Sequence, residues 1–239
     1  MESLVTTEWL ERELGAPDLV VLDCTVFLTM GEDGYVSESG RANFEAGHIP
    51  GAGFADLNED LVDTTGPYRY VVPTPEYFGA AMERLGVRDG VRVVLYDDNS
   101  AMWGARVWWM LRWIGFDDAT LLDGGLKAWK AEDRPLETGP SAVAAAEPGS
   151  LSLAPRPRLI ADKAEVTAAM SDGATCLIDA LPAPVYSGDV QPYARPGHIP
   201  GAINVPGSSM VDRETGRFLP AEEIAAMLPD RPEARTVAY

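Results

Sequence analysis

Gly47-His48-Ile49-Pro50-Gly51-Ala52 recurs letter for letter as Gly197-His198-Ile199-Pro200-Gly201-Ala202, 150 residues further along. Both histidines of the 239-residue chain lie inside these two hexapeptides. A six-residue match that uses both copies of a rare residue is a mark of duplication. The period is far too long for a solenoid, so the chain reads as a pair of domains.

The flanks carry the same repeat. An apolar run ending in Asp precedes each hexapeptide: Val20-Val21-Leu22-Asp23 in the first half and Cys176-Leu177-Ile178-Asp179 in the second. Short continuous apolar runs suit strands buried on both faces of a parallel sheet. A helix with proline in its first turn follows each hexapeptide, from Thr74-Pro75-Glu76 to about Leu85 and from Pro220-Ala221-Glu222 to about Leu228. Each half then offers another strand, Val91 to Tyr96 and Thr236 to Tyr239. Alternating strands and helices predict an α/β fold: in each domain a mostly parallel sheet with helices on both faces. Residues 1–138 form the first domain and residues 158–239 the second. Between them, residues 139–157 turn to Gly, Pro, Ser and Ala and read as a linker. Asp162-Lys163-Ala164-Glu165 opens the next helix with a capping box.

The copies differ in extent. After Tyr96 the first half continues through Asn99-Ser100, a Trp-rich helix (Trp103 to Trp113), a strand at Thr120-Leu121-Leu122, Gly124-Gly125 and a helix around Trp129. The second half stops at Tyr239, the counterpart of Tyr96. A domain without its last strand and helices leaves an apolar face open to water, so the natural chain is expected to continue past Tyr239 and the second domain to be incomplete here.

Composition narrows the function. Apolar residues make up 46% and charged residues 23%, which is globular composition. A net charge of −18 repels phosphate backbones and anionic headgroups, arguing against nucleic acid and membrane partners. No signal peptide or membrane span is visible, and two cysteines make no disulfide framework, which fits a cytoplasmic enzyme. No G-x-G-x-x-G follows a strand, which disfavours a dinucleotide enzyme. Two histidines 150 residues apart, with no cysteine pair at ligand spacing, give no metal site, and no cofactor is expected.

Several stretches together resemble the tandem rhodanese family, the thiosulfate and 3-mercaptopyruvate sulfurtransferases. In the first half they are Phe44-Glu45-Ala46 before the hexapeptide, Arg106-Val107-Trp108-Trp109-Met110-Leu111-Arg112, and Leu122-Asp123-Gly124-Gly125 with Ala128-Trp129. In the second they are Arg195-Pro196, the hexapeptide and Ile203-Asn204-Val205-Pro206. The resemblance implies two tandem rhodanese-like domains, of which only the second carries chemistry. Its nucleophile would be a cysteine directly after the strand ending at Tyr239, so no catalytic residue lies within these 239 residues. The matching position of the first half is Asp97, and a carboxylate cannot carry a transferable sulfur. The implied reaction moves a sulfane sulfur from a small anionic donor to a thiol or cyanide through a cysteine persulfide. Backbone N–H groups in a loop before a helix N-terminus are what such an anion needs.

Among the remaining residues, His48 is a candidate neighbour of the active loop, weighed against a histidine that fixes a turn, as His198 does. Arg195 can offer a fork to an anionic donor, weighed against a surface ion pair. Tyr186 is a further substrate-side candidate. Leu181 and Val185 stand where the family often carries arginine, which leaves the donor open. Cys24 and Cys176 read as buried hydrophobes, and Asp97 with Asp98 as caps of a helix N-terminus. The competing functions are a non-catalytic tandem module that binds partners or senses sulfur compounds, and a phosphatase on the same fold.

Overall fold

The computed structural model describes residues 1–32, 34–140, 150–230 and 234–239. The chain divides into two compact units. Unit 1 comprises Met1–Leu28, Ser37–Pro157 and Arg213–Arg217; unit 2 comprises Thr29–Val36, Arg158–Asp212 and Phe218–Tyr239.

Unit 1 begins with β1 (Leu4–Val5), α1 (Thr7–Glu13) and β2 (Leu19–Asp23). Next come β3 (Val26–Gly31) and β4 (Gly34–Ser39), which pair with each other and have residues in both units. Then follow α2 (Arg41–Ala46), β5 (Gly53–Phe54), α3 (Pro75–Arg84), β6 (Arg92–Tyr96), α4 (Met102–Trp113), β7 (Ala119–Leu122) and α5 (Gly125–Ala131). The main sheet is parallel in the order β1-β7-β6-β2-β5. Its central strands are the apolar runs of the sequence: Val93, Val94 and Leu95 are fully buried, as a strand covered on both faces requires. Thr74 caps α3 by accepting the Tyr77 N–H, with Pro75 in the first turn where its missing N–H costs nothing. Phe44, Phe54, Val94, Tyr96, Leu122 and Trp129 meet in one core cluster, and the Trp129 indole N–H donates to the Pro135 carbonyl at 2.8 Å.

Of the expected linker, residues 141–149 lie outside the described ones. Residues 150–157 are held on unit 1: the Leu151 N–H donates to Glu83 at 2.8 Å, and the Ala154 N–H to the Ile114 carbonyl at 2.8 Å.

Unit 2 contains α6 (Lys163–Asp172), β8 (Thr175–Asp179), α7 (Ala183–Ser187), β9 (Ile203–Asn204), α8 (Ala221–Met227) and β10 (Arg235–Ala238). The expected capping box forms at α6, with Glu165 N–H to Asp162 Oδ1 at 2.8 Å and Asp162 N–H to Glu165 Oε2 at 2.9 Å. Gly173 closes the helix at φ 65°, a left-handed conformation that suits glycine. The sheet is parallel in the order β10-β8-β9. Cys176, Ile178 and Val205 form its core cluster.

Candidate active-site loop

In both units the C-terminal strand ends gather the polar residues, as parallel sheets do. In unit 1 the centre of this edge is Asp97, the first residue after β6, only 2% exposed. Its Oδ1 accepts the N–H groups of Asn99 and Ala101, each at 3.0 Å. Its Oδ2 accepts those of Trp103 at 2.9 Å and Gly104 at 3.0 Å. Trp103 and Gly104 are in the first turn of α4, whose amides have no intrahelical acceptor. The residue at the N-cap, Ala101, makes no side-chain cap and sits at φ 60°. Asp97 therefore caps α4 from five residues upstream, and the left-handed turn at Ala101 lets the chain curl around the carboxylate. Burial raises the Asp97 carboxyl above the ordinary range, and the four N–H donors act against that.

The floor of this cradle is tightly built. Asp97's own carbonyl accepts the Leu126 N–H at 3.1 Å. A Cβ on Gly125, which has φ 54°, would stand 2.3 Å from that carbonyl oxygen. Asp98 departs from the helix-cap expectation. Its carboxylate receives Asn43 Nδ2 at 3.0 Å and Lys130 Nζ at 3.1 Å, and its N–H donates to Thr25 Oγ1 at 3.0 Å.

Beneath the loop lies a buried polar pair. Asp23 and Tyr96 are cross-strand partners of β2 and β6. Asp23 Oδ1 accepts the Thr25 N–H at 2.8 Å, while Oδ2 is buried without a hydrogen-bond partner among the described residues. Burial, with the charge of Asp97 adding to it, pushes the Asp23 carboxyl up to about 7. The Tyr96 hydroxyl accepts the Ile49 N–H at 3.3 Å, which ties the strand end to the repeated hexapeptide. Cys24 is fully buried and its thiol is pushed well up, chiefly by burial, so it has no thiolate character to offer.

Unit 2 repeats three of these strand-end bonds. Asp179 Oδ1 accepts the Leu181 N–H at 2.8 Å. The Ala180 N–H donates to the Tyr239 carbonyl at 2.9 Å, as the Cys24 N–H does to the Tyr96 carbonyl at 2.8 Å. The Tyr239 hydroxyl accepts the Ile199 N–H at 2.8 Å. The histidines match as well. His48 Nδ1 donates to the Phe44 carbonyl at 2.7 Å and its ring stacks on Phe44 at 3.8 Å. His198 Nδ1 donates to the Tyr186 carbonyl at 2.8 Å and stacks on Tyr186 at 3.7 Å.

The residues singled out in the sequence thus fall into separate places. His48 and Asp97 belong to unit 1, Tyr186 and Arg195 to unit 2. Tyr186 also donates its hydroxyl to the Ala202 carbonyl at 2.8 Å, clamping the second hexapeptide from both ends. Arg195 is exposed and makes no ion pair within 4.0 Å among the described residues. The tyrosine hydroxyls of Tyr96 and Tyr239 escape a reading of the sequence, although their equivalence at the two strand ends is the signal that could find them. Among the described residues no cluster of His, Cys, Asp or Glu could hold a metal ion, and no helix is long and apolar enough to cross a membrane.

Comparison with known proteins agrees with this geometry. A rhodanese-like domain matches residues 6–132. The probable 3-mercaptopyruvate sulfurtransferase of Pseudomonas aeruginosa is 38% identical over 99% of this chain and 83% of its own length. The 3-mercaptopyruvate sulfurtransferase of Escherichia coli K12 is 35% identical over 93% of this chain and 77% of its own. The crystal structure of SseA from Escherichia coli matches with a TM-score of 0.85 at 30% identity, covering 100% of this chain and 88% of that one. With the domain matched over more than half of the sequence, and a relative this similar along nearly all of it, the chain belongs to the rhodanese-like family.

Proposed function

We propose that the full-length protein is a sulfurtransferase that takes sulfur from 3-mercaptopyruvate, holds it as a cysteine persulfide and passes it to a thiol or cyanide. In this reading the two units are tandem rhodanese-like domains, the first is catalytically silent, and the nucleophile is a cysteine directly after Tyr239. Its thiolate attacks the donor sulfur and the carbon–sulfur bond breaks. The electron pair goes to carbon, which takes up the donor's thiol proton to give pyruvate, leaving Cys–S–S⁻. The acceptor then attacks the outer sulfur and releases the thiolate. Thiosulfate as donor would release sulfite in the same first step.

The observation that carries the reading is the shared strand-end geometry. β6 delivers Asp97 into a ring of four N–H donors, and β10 leads directly into Tyr239, held by the same two bonds as Tyr96. An anion site of this kind favours a thiolate over a thiol. The relatives' names support the donor. Arg195, exposed and without an ion-pair partner among the described residues in a chain of net charge −18, is the cation we assign to the donor's carboxylate. We place the protein in the cytoplasm, in keeping with its acidity and its buried, unpaired cysteines.

The test is the intact mass of full-length protein after 3-mercaptopyruvate, and again after cyanide or a reducing thiol. A gain of one sulfur atom that the second treatment removes supports the relay. Arg195→Gln is expected to raise KM for the donor while leaving kcat within about twofold, because it removes binding shared by ground and transition states. A second reading, a binding or sensing module, draws on Leu181 and on Val185, which is buried at 4% exposure and packs rather than binds. Full-length protein that takes sulfur from neither 3-mercaptopyruvate nor thiosulfate favours it.

A further inference from the structure

We infer that Tyr239 is a positioning residue for the sulfur-carrying residue after it, acting through the hydrogen bond between its hydroxyl and the Ile199 amide. This rests on the relay proposed above. Tyr239 is held at three points. Its N–H donates to the Ile178 carbonyl at 2.9 Å, its carbonyl accepts the Ala180 N–H at 2.9 Å, and its hydroxyl accepts the Ile199 N–H at 2.8 Å. Any residue can make the first two bonds, which are ordinary sheet pairing. Only the third requires tyrosine, and it joins the strand end to the Gly197–Ala202 turn.

Unit 1 displays what this joint does. Tyr96 makes the same hydroxyl bond, to Ile49, and the residue after it enters the ring of N–H donors. What Tyr96 and Tyr239 share is the hydroxyl contact to the isoleucine amide of the repeated hexapeptide.

The test uses the full-length protein with Tyr239→Phe, which keeps the ring and deletes the hydroxyl, and Tyr96→Phe as the same deletion in the silent unit. Misplacing a reacting group by about 1 Å costs up to ~100-fold in rate, so losing one of three restraints is expected to lower kcat about tenfold. KM should stay within about twofold, measured where circular dichroism shows both variants folded. Tyr96→Phe is expected to melt at lower temperature with wild-type kinetic constants. Wild-type kcat in Tyr239→Phe, or a loss carried by KM alone, overturns the inference. An equal kcat loss in both variants also overturns it, because the effect is then one of general stability. A wild-type protein that takes up no sulfur overturns the relay and this inference together.

Discussion

Replacing Asp97 tests whether its carboxylate holds the loop together. Four N–H groups converge on it at 2.9–3.0 Å, two on each oxygen. Asp97→Asn keeps the shape but turns one oxygen into an NH2 group. Whichever way the amide faces, two N–H donors lose their acceptor and meet another donor. A buried donor left without a partner costs about 1–3 kcal/mol. The amide can turn its NH2 toward Asn99 and Ala101, whose N–H groups are only partly buried, so Asp97→Asn should destabilise unit 1 by about 1–3 kcal/mol although it changes only one atom. Asp97→Ala strips all four donors but leaves room for water to accept from some of them, so its cost should be only somewhat larger, at about 3–4 kcal/mol. The readout is direct because all six tryptophans, Trp9, Trp103, Trp108, Trp109, Trp113 and Trp129, belong to unit 1. Urea unfolding followed by tryptophan fluorescence reports that unit selectively. An Asn variant within about 0.5 kcal/mol of wild type would mean that the ring of donors is satisfied in some other way, and the reasoning would fail.

Three further substitutions probe the same neighbourhood. The Asp23 carboxyl is raised from 3.8 to about 7 by burial, so the folded chain keeps a proton that the unfolded chain gives up. Its contribution to stability is full below about pH 3.8, falls as pH rises toward about 7 and is level above that. Asp23→Asn removes this loss, and its stability relative to wild type should swing in its favour by on the order of 4 kcal/mol from pH 4 to pH 8; parallel pH profiles would refute the assignment. Gly125→Ala places a Cβ 2.3 Å from the Asp97 carbonyl oxygen at φ 54°, and a thermal melt should show a loss of more than about 2 kcal/mol. Ala101→Gly relieves the left-handed strain at φ 60° and should gain up to about 1 kcal/mol in urea, or nothing if the extra freedom of the unfolded chain offsets it; a loss above about 1 kcal/mol would contradict the strain argument.

Much of this architecture is legible in the amino-acid order, for physical reasons. The runs Val20–Asp23 and Cys176–Asp179 read as buried strands because a strand covered on both faces must be apolar at every position. Thr74-Pro75 and Asp162 with Glu165 mark helix starts because orphan amides need side-chain acceptors there. The loop that matters most is less legible. Asp97 has no neighbour whose identity announces that four amides will point at it, and Ala101 carries none of the glycine or asparagine that usually flags a left-handed turn. The pairing of β3 with β4 is equally hard to see, since neither Val26–Gly31 nor Gly34–Ser39 is buried enough to show a clear alternation. The tyrosine hydroxyl bonds span 47 and 40 residues, and no local pattern encodes a contact at that separation.

The ring of amides also explains why unit 1 carries an aspartate at position 97 rather than any small residue. A loop that curls its amides inward needs an acceptor at its centre. Buried N–H groups such as those of Trp103 and Gly104 must find acceptors, so alanine or valine at position 97 carries the cost set out for Asp97→Ala. A serine would return one oxygen, enough for two of the four donors. Aspartate returns two oxygens on a short stem and carries negative charge at the N-terminus of α4, where an anion is favoured. Asp97→Ser should accordingly fall between wild type and Asp97→Ala in the tryptophan-monitored urea midpoint. If serine proves as costly as alanine, satisfying donors one by one is not what selects the residue, and the negative charge at the head of α4 is what decides it.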